Sequence, residues 1–143
     1  MELSKNDRQI LSVLTENART PVAEIARQVG LSRSTVVQRI ERLERSGAIT
    51  GYTLRISNDI QRGLLRALVM ISVIPKSTAG VVRSLRALKP VRELYAVNGV
   101  FDLSAIVVAQ STEELDHALD RLGNIEGVEK TVSSIVLSTK FAR

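Results

Sequence analysis

Three residues, Gly30, Leu31 and Ser32, separate two short segments that each carry an apolar face at helical spacing, and this gap constrains the fold more than any other feature. Upstream, Ile25, Ala26 and Val29 line one side of a helix that Thr20 and Pro21 open, because proline's missing amide costs nothing at the first helical position. Downstream, Val36, Ile40 and Leu43 form a narrow stripe on a helix capped by Ser32 and closed by Gly47. So short a connection forces a sharp crossing, and the small Ala26 permits close approach. The layout is a helix-turn-helix. A first helix, capped by Ser4 with Asp7 three residues on, adds Ile10, Leu11 and Leu14 to the same core. The following "AITGYTLRIS" places Gly51 between two β-prone pieces and predicts a small strand or wing.

The texture changes at the polar, turn-forming "SNDIQRG", Ser57 to Gly63. We therefore divide the chain into a winged-helix-like helix-turn-helix domain (1–52), a linker (53–63) and a second domain (64–143). In that domain "LLRALVMISVIP" reads as a strand stopped by Pro75, and "STAGVVRSLRALKP" as a helix with Val81, Leu85 and Leu88 inward. "VRELYAV" and "FDLSAIVVA" read as strands joined at Asn98 and Gly99. "STEELDHALDRLGNIEG" is a helix with a Ser111–Glu114 capping box and Leu115, Leu119 and Leu122 inward, and "VEKTVSSIVLS" is a final strand. The order is βαββαβ, so the whole chain is α+β with a C-terminal ferredoxin-like domain.

A four-stranded sheet with both helices on one side leaves its other side bare. In the first strand Leu65, Ala67, Val69, Ile71 and Val73 fall on one face, and Leu68, Met70 and Ile74 on the other. Both faces are apolar. The chain is expected to bury the second one against copies of itself, as a homodimer and up to an octamer.

Composition excludes more than it selects. Zero cysteines rule out disulfides, thiolate metal sites and thiol nucleophiles. The apolar runs fall short of the roughly 20 residues that span a bilayer, and "MELSKNDRQ" lacks a signal-peptide layout, so no membrane partner and a cytoplasmic location are expected. His117, the one histidine, stands among Glu113, Glu114, Asp116 and Asp120 on one helix, which reads as a solvated face; no metal and no cofactor are expected. "GVEKT" lacks the order of a phosphate-binding loop, and Tyr52, Tyr95, Phe101 and Phe141 are too few for a base-stacking sheet. A net charge of +5 suits a polyanionic partner, yet residues 1–60 carry nine basic and seven acidic side chains and residues 61–143 eleven and eight. Charge does not single out the helical half.

Geometry does. Relative to the buried stripe of the third helix, Ser34, Gln38, Glu41, Arg42 and Arg45 point outward, with Thr35 and Arg39 on one flank. A helix in the major groove of double-stranded DNA reads bases from near its N-terminal end, which makes Arg33, Ser34, Thr35 and Gln38 the base-reading candidates. Arginine pairs with guanine and glutamine with adenine through two hydrogen bonds each. Arg39 and Arg42 are assigned to phosphates, whereas Glu41, Glu44 and Arg45 are read as a solvated face laced by ion pairs.

In this order of parts, "LSKNDRQILSVLTENART", "EIARQVGLSRSTVVQRIERLERSGAITGY", "VRELYAVNGVFDLSAIVV" and "GVEKTVSSIVLS" together resemble the Lrp/AsnC family (leucine-responsive and asparagine regulators) of prokaryotic transcription factors. The resemblance spans nearly the whole chain and implies a sequence-specific, oligomeric regulator whose C-terminal domain binds a small effector, an amino acid. It implies an effector turn at Asn98, Gly99, Phe101 and Asp102, with the Asp102 carboxylate taking the ligand's ammonium. Asp102 could instead cap its own turn or pair with Arg92. Backbone amides at Asn98 and Gly99 could hold the ligand carboxylate, and Thr131, Ser133 and Ser134 could form the rim. Where the family commonly has an acidic residue and an aromatic, this chain has Val100 and Leu103, from which an apolar amino acid is expected. Two rivals stand beside this reading. One is an architectural protein that wraps or bridges DNA with little sequence preference; the other, also by resemblance, is a haem-precursor decarboxylase, for which a lone histidine and no cysteine offer little acid–base chemistry.

Overall fold

A computed structural model describes residues 2–57, 60–61 and 63–143. The expected linker residues Asn58, Asp59 and Arg62 lie outside the described residues. The chain divides into two compact units, residues 1–55 and 56–143.

The first unit holds α1 (Lys5–Glu16), α2 (Val22–Val29) and α3 (Arg33–Arg45). Ile10, Ile25, Ala26, Val36 and Leu43 are buried at their junction, with Leu11, Leu14, Val29 and Ile40 packed around them. Gly30 ends α2 in the left-handed conformation (φ 75°), its amide and that of Leu31 both donating to the Ala26 carbonyl at 2.9 and 3.0 Å. That doubled closure turns the chain at once into α3. Pro21 precedes the helix in an extended conformation and is not its first residue; its carbonyl accepts from the Glu24 and Ile25 amides. Thr20 turns back to the Asn17 carbonyl at 2.7 Å.

The expected wing does not form. Thr50 to Ser57 take part in no strand among the described residues, since no second strand of this unit lies alongside to accept their hydrogen bonds. The segment is held to α3 instead, by the Ile49 amide on the Leu43 carbonyl (3.0 Å) and the Tyr52 hydroxyl on the Glu44 carboxylate (2.7 Å).

The second unit is β1 (Leu65–Val73), α4 (Thr78–Ala87), β2 (Val91–Ala96), β3 (Leu103–Ala109), α5 (Thr112–Gly123) and β4 (Val128–Ile135). The strands form one antiparallel sheet in the order β2-β3-β1-β4. Ala67, Val69, Ile71 and Val73 of β1 share a buried core with Leu103, Ala105 and Val107 of β3, Val81 and Leu85 of α4, and Leu115, Ala118 and Leu122 of α5. Gly127 admits the chain into β4 at φ 98°, and a Cβ there would stand 2.7 Å from that of Ser77 and 2.9 Å from a Val81 methyl. Ser111 caps α5 through the Glu114 amide at 3.1 Å, but the Glu114 carboxylate reaches past it to the Gln110 amide at 2.8 Å, so the expected box closes one residue upstream.

The other sheet face is apolar and open. Leu68 is 46% exposed and Val132 42%, beside the half-buried Met70, Ile106 and Val108. Cross-strand pairing of Leu68 with Ile106 and Met70 with Val132 makes one continuous stripe.

Candidate DNA-reading helix and effector turn

The first turn of α3 is organised by Ser32. Its hydroxyl accepts from the Thr35 amide at 3.3 Å and lies 2.7 Å from the Thr35 hydroxyl and 3.3 Å from that of Ser34. Thr35 is half-buried, so its hydroxyl is committed to the cap; Arg33, Ser34 and Gln38 are exposed. No acidic residue stands in this turn, which leaves the positive helix end unneutralised.

Arg39 and Arg42, assigned from sequence to phosphates, have a partner inside the protein. Arg39 Nη1 donates to Asp7 Oδ1 at 3.0 Å and to the Ser4 hydroxyl at 3.1 Å, and Arg42 Nη2 donates to Asp7 Oδ2 at 2.8 Å. Asp7 exposes no side-chain surface, whereas Arg39 is 27% and Arg42 52% exposed. Burial pushes the Asp7 carboxyl up, but hydrogen bonds from the Ser4 hydroxyl and amide, then from Arg39, and the charge of Arg42 overcome it and hold it at about 2. Sequence reading found Asp7 only as half of a capping box, which is present. Its partners 32 and 35 residues away leave no local signal. The ion pairs read for Arg45 are absent among the described residues: Glu44 takes the Tyr52 hydroxyl, and Glu41 and Arg45 stand exposed.

The effector turn is latched to the central strand by Asp102. Its amide donates to the Ile71 carbonyl (2.9 Å), its carbonyl accepts from Val97 (3.0 Å), and its Oδ2 accepts from the Val73 amide (2.8 Å). The carboxylate thus extends the β1–β3 ladder past Leu103, where the β1–β4 register shifts between Ser72 and Val73. The side chain caps a neighbouring strand, not its own turn, and makes no ion pair with Arg92 among the described residues. Gly99 bends the turn at φ 120°, Val100 is 90% exposed, and Phe101 is half-buried. Leu103 is a core residue, 3% exposed, so it does not colour the turn; only Val100 carries the apolar character read from that pair.

Ser133 and Ser134 are not brought to this turn. They lie opposite Val69 and Leu68, across β1 from Asp102 and on opposite sheet faces. Thr131, opposite Ile71, is level with it. A separate cavity of about 230 Å³ between the α4–β2 junction and α5 is lined by Leu88, Pro90, Val91, Glu114, His117, Ala118 and Arg121, and contains none of the effector candidates. Among the described residues no three His, Cys, Asp or Glu side chains converge as metal ligands, and no helix is long and apolar enough to cross a membrane.

Residues 3–44 match the AsnC-type helix-turn-helix domain, and residues 66–143 the Lrp/AsnC ligand binding domain. The chain belongs to the Lrp/AsnC family. It is 34% identical to the HTH-type transcriptional regulator LrpA of Pyrococcus horikoshii over 94% of its length and 96% of that protein's. Its fold is similar to that of Escherichia coli AsnC (TM-score 0.83, 28% identity, 100% of this chain and 97% of the other). It is equally similar to a feast or famine regulatory protein of Mycobacterium tuberculosis complexed with L-methionine (TM-score 0.83, 30% identity, 99% and 96%). As an Lrp/AsnC protein the chain is a transcriptional regulator, with a DNA-binding helix-turn-helix and a ligand-binding domain, and α3 is the second helix of that motif.

Proposed function

We propose that this regulator binds specific sites on double-stranded DNA in the cytoplasm as a homo-oligomer, and that an amino acid on its C-terminal domain tunes that binding. The observation that carries the reading is the split of α3: Val36 and Leu43 are wholly buried, while Arg33, Ser34 and Gln38 present exposed side chains on its first two turns. Arg33 and Gln38 read bases, and Arg42 meets a phosphate with Arg39 behind it. The decisive experiment selects bound sequences from a random DNA pool with and without pooled amino acids. On a selected site, Arg33→Ala and Gln38→Ala are each expected to cost about 1–3 kcal/mol and to relax preference at one base position. Unchanged affinity and preference would remove both from the reading head. An enriched pool without a consensus would favour an architectural protein.

Self-association is supported by the open stripe of Leu68, Met70, Ile106, Val108 and Val132, which one chain leaves in water. The full chain is expected to sediment as a dimer or larger at micromolar concentration, and Leu68→Asp to shift it toward monomer. A monomeric wild type would overturn this part. The methionine bound to the M. tuberculosis relative supports an amino-acid effector here, and Asp102 with the amides around Asn98 and Gly99 is the site we assign to it.

A further inference from the structure

A capping box for α1 needs only the Asp7 amide on the Ser4 hydroxyl, at 3.2 Å, and the Ser4 amide on the Asp7 carboxylate, at 3.0 Å; the Ser4 hydroxyl also lies 2.7 Å from that carboxylate. Two guanidinium groups from α3 converge on the same carboxylate in addition. They are not equivalent. Arg39 is the more buried, its Nε sealed from water with no hydrogen-bond partner, which is the cost of packing a cation against the α1–α3 seam. Arg42 is half-exposed and, among the described residues, is bonded through Nη2 alone. A guanidinium is a rigid fork, so fixing one arm on Asp7 aims the others. Arg42 also follows Ser34 and Gln38 at successive four-residue steps, which puts all three on one outward stripe of α3.

We propose that Asp7 is a positioning residue for DNA binding: it holds one arm of Arg42 so that the free edge of the guanidinium meets a backbone phosphate beside the bases read by α3, while Arg39 anchors the seam. This rests on Arg42 being the phosphate contact assigned above. An arginine free in solvent must give up side-chain entropy to make that contact, and Asp7 settles it before DNA arrives. The carboxylate also repels phosphate, so the proposal requires orientation to outweigh repulsion. That balance is measurable.

The test is a double-mutant cycle on the full-length protein, with affinity for a selected duplex and an unrelated one measured against salt. Arg42→Ala should weaken both duplexes about tenfold and lower the salt slope by about 1. Asp7→Asn, which keeps a side-chain acceptor of the same size, should weaken both about three- to fivefold, and should have no effect beyond about twofold when Arg42 is already alanine. Far-UV circular dichroism fixes a temperature at which every variant is folded. Should Asp7→Asn not fold, Arg42→Lys decides: lysine keeps the charge but lacks the fork, so binding should fall nearly as far as with alanine. Equal, additive effects of the two substitutions would overturn the inference, as would wild-type affinity in Arg42→Lys. Tighter binding and a steeper salt slope in Asp7→Asn would make Asp7 a brake on binding, also against the proposal. If Arg42→Ala changes neither affinity nor slope, the phosphate assignment itself fails, and the positioning role with it.

Discussion

Asp7→Ala is expected to destabilise the helix-turn-helix unit by about 2–4 kcal/mol, read from thermal or denaturant unfolding of the full chain monitored in its helical signal. Removing one partner of a buried ion pair costs about 3–5 kcal/mol when the other stays buried; here Arg42 can return to water and Arg39 only partly can, which lowers the figure, while Ser4 keeps its cap on the residue 7 amide and loses only the reciprocal bond to the carboxylate. A unit of this size has about 3–8 kcal/mol in all, so the substitution would remove a large fraction of its stability and lower its unfolding midpoint clearly. The pH dependence has a definite sign. The folded-state carboxyl is held at about 2, below its ordinary value, so its contribution is complete above the ordinary value and is lost as pH falls toward 2. The gap between wild type and Asp7→Ala should therefore be constant near neutrality and narrow below about pH 4. An equal gap at pH 7 and pH 2.5 would show that the ionised carboxylate is not what holds α1 to α3.

Asp7 also shows what could and could not be read from the chain. Periodicity specified each helix, and a capping serine the starts of α1, α3 and α5, because burial acts on residues three and four apart and a cap acts within one turn. Ile10, Ile25, Val36 and Leu43 were legible for that reason, as were the alternating faces of β1. What sequence reading missed depends on residues far apart along the chain. The Asp7–Arg39–Arg42 cluster joins two helices with a third between them, and the Val73 amide that claims Asp102 lies 29 positions away. The wing failed from the opposite cause: β-propensity at Tyr52, Leu54 and Ile56 was real in the sequence, but a strand also needs a neighbour, and propensity does not supply one. Ser133 and Ser134 are rim candidates in the sequence as polar residues of the last strand, and only the β1–β4 register shows them offset from the turn.

Asp102→Asn is expected to weaken amino-acid binding by about 1.5–3 kcal/mol, the worth of a hydrogen bond between charged groups, while leaving the fold and ligand-free DNA binding intact. The structure makes this substitution the informative one. Oδ2 is committed to the Val73 amide, and asparagine keeps a carbonyl oxygen there, so the latch between the turn and β1 survives while the charge that would hold an ammonium is removed. Asp102→Ala would remove both, and its loss of binding could not be assigned. The amides around Asn98 and Gly99 are untouched in either case, so carboxylate recognition is held constant. Calorimetry of wild type and Asp102→Asn against the twenty amino acids gives the comparison, and an apolar side chain is expected to fit best beside the exposed Val100. A ligand that binds every assembly state equally shifts none of them, so regulation further requires that binding change the oligomer or its DNA affinity, which sedimentation and duplex titration with the same amino acid would register. Binding to wild type that Asp102→Asn leaves untouched would reduce Asp102 to the latch of its turn.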